Sequence, residues 1–543
     1  MRMLRHVGVA AAACAASIIA VAAVDVGAGG AAGPRFEISF SAAAHSEPVT
    51  GMLYVAISRD DKRQPIQETG PTGVPLFSKY VEQLAPGAAA TIGGDDRGHP
   101  VASLRDIPAG EYWVQPFVNV YTRFSRTDGH TVWMHMDQWE GQNWKRSPGN
   151  LYGEPTRIKI DPSSSTPIKL IADKKIPPVE VPADTAFVKH IKIQSQLLTK
   201  WWGHPIFLGA IVLLPKDYDA HPDVHYPINY EQGHFSLSAA GGFGRGGPFD
   251  KLWLAEDTPR FIYVTLQHPS PYYDDSYGVN SANNGPFGDA IMQELIPAIE
   301  TKFRVIRQPW ARMLSGGSTG GWIALAHQIF YPEFYGGTFA SCPDSVDFNY
   351  HQIVNIYKDP NAYFVDMGWM QMDRPSQRKP DGAIVSRMKD ENHYELTVGD
   401  HSRSGEQWDI WEATYSPVGP DGYPKRLWDK QTGVIDKSVA EQWKKFDLLN
   451  ILETNWATIG PRVANKINVY IGDMDSYYLN NAVENLNQFL SKADNPKWTG
   501  EIVFQRRAPH CFGVRGADLL EKMTAQIEKY APAGSDLKSW KYR

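Results

Sequence analysis

Short runs of alternating apolar and polar residues dominate the first third of the chain: Phe36–Ser41, Met52–Ile57, Tyr112–Tyr121 and Arg157–Ile160. Turn-forming stretches such as Pro108-Ala109-Gly110 and Asp161-Pro162-Ser163 separate them, so the pattern predicts strands. No long segment of helical period interrupts these runs, and residues 34–187 read as a β-rich, sandwich-like domain. Lys174–Asp184, with Pro177, Pro178 and Pro182, predicts a stiff linker. Beyond residue 188 the rhythm changes. Apolar runs at Phe207–Leu214, Tyr226–Tyr230, Phe261–Leu266, Tyr335–Ala340, Ile467–Ile471 and Glu501–Phe504 alternate with helical segments. Gly288–Phe303 carries Ile291, Leu295, Ile296 and Ile299 on one helical face, and Ile323–Tyr331 is a second helix, stopped by Pro332. This alternation predicts a doubly wound, mostly parallel sheet over residues 188–543, covered on both faces. Residues 345–450 break it with Trp369, Tyr394, Trp408, Trp411, Tyr415, Tyr423, Trp428 and Trp443. That stretch is too long for a plain connection and reads as an insertion acting as a lid over the strand ends.

The first residues change the picture of compartment. Arg2, Arg5 and His6 precede an Ala-rich apolar run from Val7 to Val24, with small residues from Gly27 to Gly33. Residues 1–33 therefore read as an export signal, and the protein as secreted or periplasmic. Cys14 does not fit a lipoprotein signal, because the apolar run continues past it. Downstream there is no apolar stretch of membrane-spanning length. With 54 Lys+Arg against 60 Asp+Glu, the net charge is −6 and no basic block stands out, which argues against a nucleic-acid partner. Aromatic residues reach 12 %, enough to suggest aromatic-lined surfaces beyond a core.

Gly316-Gly317-Ser318-Thr319-Gly320-Gly321 contains the pattern G-x-S-x-G. The apolar segment Ala311–Leu314 precedes it and a helix follows at once, which is the strand–turn–helix context that lifts a serine hydroxyl out of a sheet. A serine on so sharp a turn adopts strained backbone angles, and flanking glycines relieve the crowding. The turn would also aim the Thr319 N–H at a developing oxyanion. A serine needs a general base, itself oriented by a carboxylate, in the chain order Ser, Asp, His. Lys466–Asp475 reads as a strand ending in a Gly-x-x-Asp turn, which offers Asp475, with Asp473 as competitor. After the strand Glu501–Phe504, the loop Gln505–Val514 carries His510, the expected base. The second oxyanion donor would be the N–H of His234 or Phe235, just past Gly233. Gly241–Gly244 reads either as part of the mouth or as a turn. His221 and His225 lack a helical setting, no dinucleotide or P-loop pattern occurs, and neither a metal nor a cofactor is expected.

These residues resemble the putative-esterase family of α/β-hydrolases, which includes esterase D, feruloyl esterases, enterochelin-type esterases and mycolyltransferases. The resemblance rests on Leu214–Asp219, Tyr226-Pro227, Gly233, Glu294–Pro297, Gly316–Gly321, Gly472–Asp475 and His510, within residues 188–345 and 460–530. It implies a Ser318–Asp475–His510 triad that hydrolyses a carboxylic ester through an acyl-enzyme, on a small-molecule or polysaccharide-linked substrate. The chain departs from relatives in carrying Gln232-Gly233 where they have His-Gly, and in the 345–450 insertion. In such a fold Cys342 and Cys511 would both lie near the catalytic edge, where a disulfide would brace the His510 loop. An acyltransferase using the same three residues, and a non-catalytic binding protein on the same scaffold, are the alternatives.

Overall fold

The computed structural model describes residues 33–164 and 166–542. The segment read as an export signal, with Arg2, Arg5, His6 and Cys14, lies outside the described residues. Among those described, no helix is long and apolar enough to cross a membrane.

The N-terminal region holds two sheets. Phe36–Ser39 lies between Ala89–Ile92 and Ile168–Ile171 in a three-stranded sheet, while Val49–Ser58 and Gly110–Ser125 form the centre of an eight-stranded one. Phe36, Ile38, Ile92 and Leu170 from the first share one apolar cluster with Leu53, Val55, Val114 and Val118 from the second. The other face of the larger sheet is covered as well: Met52, Tyr54, Phe117 and Tyr121 pack with Trp144, Tyr394 and Val398. All ten residues of Val49–Ser58 are therefore buried. Lys174–Lys175, inside the expected linker, pairs as a short strand with Leu151–Tyr152.

Eight strands build the central sheet: β1 (Val188–Ser195), β2 (Ile206–Leu213), β3 (Ile228–Gln232), β4 (Ile262–Gln267), β5 (Arg312–Gly317), β6 (Gly337–Ser341), β7 (Ile467–Gly472) and β8 (Glu501–Gln505). Their spatial order is β1-β2-β4-β3-β5-β6-β7-β8. Pairings β1/β2 and β2/β4 are antiparallel and the rest parallel, the mixed sheet of an α/β-hydrolase-like fold. Each apolar run read from the sequence past residue 188 corresponds to one of these strands; β1, at the sheet edge and polar at every second position, was not among them. The helices that matter here are α1 (Pro248–Trp253), α2 (Thr319–Phe330), α3 (Met388–Val398), α4 (Gln407–Tyr415), α5 (Leu448–Val463), α6 (Asn480–Lys492) and α7 (Gly516–Tyr530). The α2 helix packs on β3, β5, β6 and α5, whereas α7 packs on β6 and α1. Eleven residues of α2, Thr319 to Ile329, are buried, so it is a core helix rather than an amphipathic surface one.

The helix expected over Gly288–Phe303 is Phe287–Ala290, a π turn at Ile291–Leu295 and Ile296–Lys302. Here Glu294 accepts hydrogen bonds at 3.0 Å from the backbone N–H groups of Gln196 and Leu197, which neutralises the start of the helix Gln196–Trp202. Residues 345–450 form two hairpins, α3, α4 and Lys437–Trp443. Most aromatic side chains there fill a core continuous with that of the sheet: Trp408, Trp411, Trp428 and Trp443 are buried. Trp369, which is 80 % exposed, and Tyr350 are exceptions. Buried Lys430 ties the two helices, with Nζ 2.7 Å from Glu395 of α3 and 2.6 Å from Asp409 of α4.

At the base of β5, Arg312 donates two hydrogen bonds to Glu300, at 2.7 and 2.9 Å, and Tyr230 donates a third at 2.9 Å. Both charges are buried. Glu300→Ala leaves the guanidinium unpaired and is expected to lower unfolding stability by ~3–5 kcal/mol, read as a lower urea midpoint. An unchanged midpoint would remove this pair from the determinants of the fold.

Candidate active site

Ser318 stands between the end of β5 and the start of α2 with φ 56° and ψ −124°. Its N–H donates to the Ser341 carbonyl at 3.0 Å, and its own carbonyl accepts from Gly321, Trp322 and Asp344 at 2.9, 3.1 and 3.2 Å. The glycines are a packing requirement. A methyl on Gly320 would stand 2.0 Å from the Gln232 carbonyl oxygen, and one on Gly316 would stand 2.3 Å from that of Gly320. The loop after β3 thus crosses the turn at backbone contact distance, where no side chain fits.

Asp475 and His510 come to this turn from the ends of β7 and β8. His510 Nε2 lies 2.9 Å from Ser318 Oγ, and His510 Nδ1 lies 2.7 Å from Asp475 Oδ2. With the Nδ1 proton on Asp475, Nε2 is left to accept the serine proton. Asp475 is fully buried and its Oδ1 accepts the Tyr477 N–H at 2.9 Å, which fixes the carboxylate. The competitor Asp473 instead accepts the Arg507 N–H and holds the loop after β8.

Thr319 is the first residue of α2, so its N–H has no carbonyl one turn earlier within the helix. His234 borders the same cavity as Ser318, and its ring Nδ1 lies 3.0 Å from Asp274 and 3.3 Å from Asp275. Burial opposes a charge on His234, but the two carboxylates hold its pKa well above the usual imidazole value. Phe235 turns away and packs edge-on against Trp139 at 5.1 Å. Gly241 lies in a one-turn helix that borders a second cavity of about 570 Å³, on the far side of Gly317 and Cys511. His221 stacks on Tyr542 at 3.6 Å.

Sequence reasoning missed Asp344. It lies just past β6, buried, and accepts hydrogen bonds from Ser318 Oγ at 3.3 Å, Thr319 Oγ1 at 3.1 Å and Tyr277 OH at 2.5 Å. Burial raises its pKa above the usual carboxylate value. The signal available was an acidic residue at a strand end, in Ser341-Cys342-Pro343-Asp344; nothing in the spacing aims it at Ser318.

Cys342 and Cys511 are unbonded thiols, so the expected disulfide is not formed. Their Sγ atoms and a His510 ring nitrogen lie within 4.8 Å of one another, one of two groups of potential metal ligands among the described residues; His234, Asp274 and Asp275 form the other. The hydrogen bond to Cys511, with burial, drives the Cys342 pKa far up, and the same bond with one from His510 draws Cys511 down to about 4. For His510, burial favours the neutral ring, but Asp475 and Cys511 outweigh it and raise its pKa to about 10.

Ser318, His510 and Asp344 open onto a cavity of about 600 Å³. Its walls combine Pro71 of the N-terminal region, Tyr477 beside Asp475, and Tyr394, Trp408 and Trp411 of the insertion.

Residues 209–430 match a family model described as "Putative esterase", a span that includes Ser318 and ends before Asp475 and His510. No curated protein matches. Among solved structures, the chain is similar to a ferulic acid esterase at 14 % identity and a TM-score of 0.37, over 63 % of this chain and 97 % of that one. It is similar to an S-formylglutathione hydrolase from Agrobacterium tumefaciens at 12 % identity and a TM-score of 0.34, over 64 % and 96 %. A CE1 ferulic acid esterase from Anaeromyces mucronatus stands at 12 % identity and a TM-score of 0.28, over 62 % and 90 %.

The His510 environment yields a titration test. Cys511 raises the imidazole pKa, so Cys511→Ser lowers it. Ring-nitrogen NMR across pH is expected to place His510 above the ordinary value of about 6.5 in the parent protein and at a lower pH in the variant. A midpoint that the substitution leaves in place, or moves upward, contradicts this account.

Proposed function

Residues 209–430 match the putative-esterase family model, and from that match we propose that the chain is an exported serine esterase of this family, acting through Ser318, His510 and Asp475. The observation that carries this reading is the unbroken hydrogen-bonded path from Asp475 through His510 to Ser318, at 2.7 and 2.9 Å. Ser318 Oγ attacks the ester carbonyl carbon as His510 Nε2 takes its proton. Asp475 orients the ring and stabilises the imidazolium. The N–H of Thr319, together with that of His234 or Phe235, receives the developing oxyanion. The tetrahedral intermediate collapses, His510 returns the proton to the departing alcohol, and water repeats the sequence on the acyl-enzyme.

In this reading residues 1–33 direct export, residues 34–187 form a sandwich-like accessory domain, and residues 188–543 form the catalytic domain. The 345–450 insertion serves as the lid. The lid reading is supported by the site that Tyr394, Trp408 and Trp411 take in the cavity wall, where they shield the acyl-enzyme from bulk water. The substrate is a small-molecule or polysaccharide-linked ester.

A fluorophosphonate probe is expected to label Ser318, and Ser318→Ala to abolish labelling and to lower kcat/KM on p-nitrophenyl esters by roughly 10³-fold or more. A panel of such esters of rising chain length, beside feruloyl and acetylated-sugar substrates, then ranks the acyl group. An unlabelled parent protein would sink the esterase reading in favour of a binding protein. Labelling with products esterified to an added sugar or lipid alcohol would replace hydrolysis by acyl transfer.

A further inference from the structure

The cavity beside Ser318 has a charge character that the ester chemistry does not require. Its lining includes no lysine and no arginine, but four carboxylates: Asp344, Glu391, Glu395 and Glu406. Their partners differ. Glu395 is balanced by Lys430, which also serves Asp409. Glu391 accepts only neutral donors among the described residues, from Ser376, Ser386, the Gln377 amide and the Trp408 indole. Asp344 likewise accepts from hydroxyls alone. Glu406 occupies the position just before α4 without capping it, and its carboxylate accepts no hydrogen bond among the described residues. The cation nearest it in charge effect, Lys145, holds the Thr69 carbonyl with Nζ and lies between the Trp144 and Tyr394 rings, 5.6 and 5.9 Å from their centroids, so it stands behind the cavity wall and not in its lining. The histidines in the wall, His234 and His510, already face Asp274, Asp275 and Asp475.

Two further features point to what the unbalanced charge is for. Tyr273, Tyr394, Trp408, Trp411 and Tyr477 line the same space, and aromatic faces attract cations once water is excluded. The Tyr394 hydroxyl, on a residue only 3 % exposed, makes no hydrogen bond of ordinary geometry among the described residues, although the Thr69 side chain stands beside it. A buried polar group without a partner costs free energy unless a ligand supplies one. We propose that this cavity selects esters that carry an ammonium group, with Glu406 as its counter-charge and the Tyr394 hydroxyl as acceptor for one of its N–H bonds. An anionic substrate would meet the same carboxylates with no lysine or arginine in the lining to receive it, the two wall histidines being already paired with Asp274, Asp275 and Asp475, so the order of preference is cation, then neutral, then anion. The proposal names the substrate class of the esterase read above and relies on that reading for the role of Ser318.

The test has two arms. In the first, kcat/KM is compared for ethyl 6-aminohexanoate, ethyl heptanoate and monoethyl adipate, and for 6-aminohexyl acetate against heptyl acetate, which puts the charge in the acyl or the alcohol part. A preference of about tenfold or more for the ammonium ester is expected in one series, and Glu406→Gln is expected to bring that ratio close to one. In the second arm, tryptophan fluorescence of the parent protein, with Trp408 and Trp411 as reporters, follows binding of hexylammonium, 1-hexanol and hexanoate without turnover. Ammonium is expected to bind at least tenfold more tightly than the alcohol. If 1-hexanol and the neutral esters are preferred, or Glu406→Gln leaves the ratio unchanged, the proposal is overturned while fluorophosphonate labelling still upholds the esterase reading. If hexylammonium binds tightly but no ester is turned over, the cation site stands and the esterase reading falls.

Discussion

Ser318 occupies a backbone conformation that costs ~1–3 kcal/mol for any residue with a side chain, and the candidate site depends on that conformation being held. Four backbone hydrogen bonds hold it: one from its N–H to the end of β6, and three to its carbonyl, from α2 and from Asp344. The strain is offset only because Gly316 and Gly320 let β5, α2 and the loop after β3 meet at backbone contact. Any outward shift of that loop would move the His234 N–H and the start of α2 away from the same point in space. The position of the hydroxyl and the spacing of the two proposed oxyanion donors are thus set by a single packing constraint.

Asp344 gives the serine hydroxyl a choice of acceptor. When His510 is neutral, its Nε2 at 2.9 Å is the better acceptor and the hydroxyl proton faces the base. When His510 is charged, Nε2 becomes a donor, and the hydroxyl turns its proton to Asp344 at 3.3 Å. The Asp344–Ser318–His510 line can therefore store a proton without breaking its geometry. Tyr277 stabilises the carboxylate end of this line, and its hydroxyl is in turn fixed by the Trp411 indole at 2.6 Å and by the Gln407 amide. Through these two contacts, the protonation state of the site is linked to the start of α4.

Much of this was legible in the sequence, for identifiable reasons. Parallel strands covered on both faces read as continuous apolar runs, so β2 to β8 stood out, as did the glycine-flanked serine between β5 and α2. Asp475 and His510 were readable because each follows such a strand and the order Ser, Asp, His is fixed by the sheet. Edge strand β1 was not, since His190, Lys192 and Gln194 on its open face dilute the pattern. Asp344 was hidden because its role comes from a contact with Tyr277, 67 residues earlier, that no local period encodes. The aromatic content of the whole chain suggested lined surfaces beyond a core, whereas most of the rings in the 345–450 insertion fill a core, and only a subset reaches the cavity.

The division of labour between the scaffold and the added segments follows from how the cavity is supported. Tyr394 stands on α3, and α3 lies against the outer face of the N-terminal sheet, where Tyr54 donates to the Val398 carbonyl at 2.5 Å and stacks on Trp144 at 4.5 Å. Arg97 of the same region donates to the Leu396 carbonyl at 3.2 Å. From α3, buried Lys430 passes the constraint to α4, which carries Glu406, Trp408 and Trp411. The Ser318 turn is fixed by the central sheet, α2 and Asp344, but the opposite wall is held in place by the N-terminal region, Tyr54 lying 344 residues before Val398. On the proposed esterase reading, substitutions in the N-terminal sheet would act first on the cavity wall, and on Ser318 only through the contacts of Trp411 and Gln407 with Tyr277.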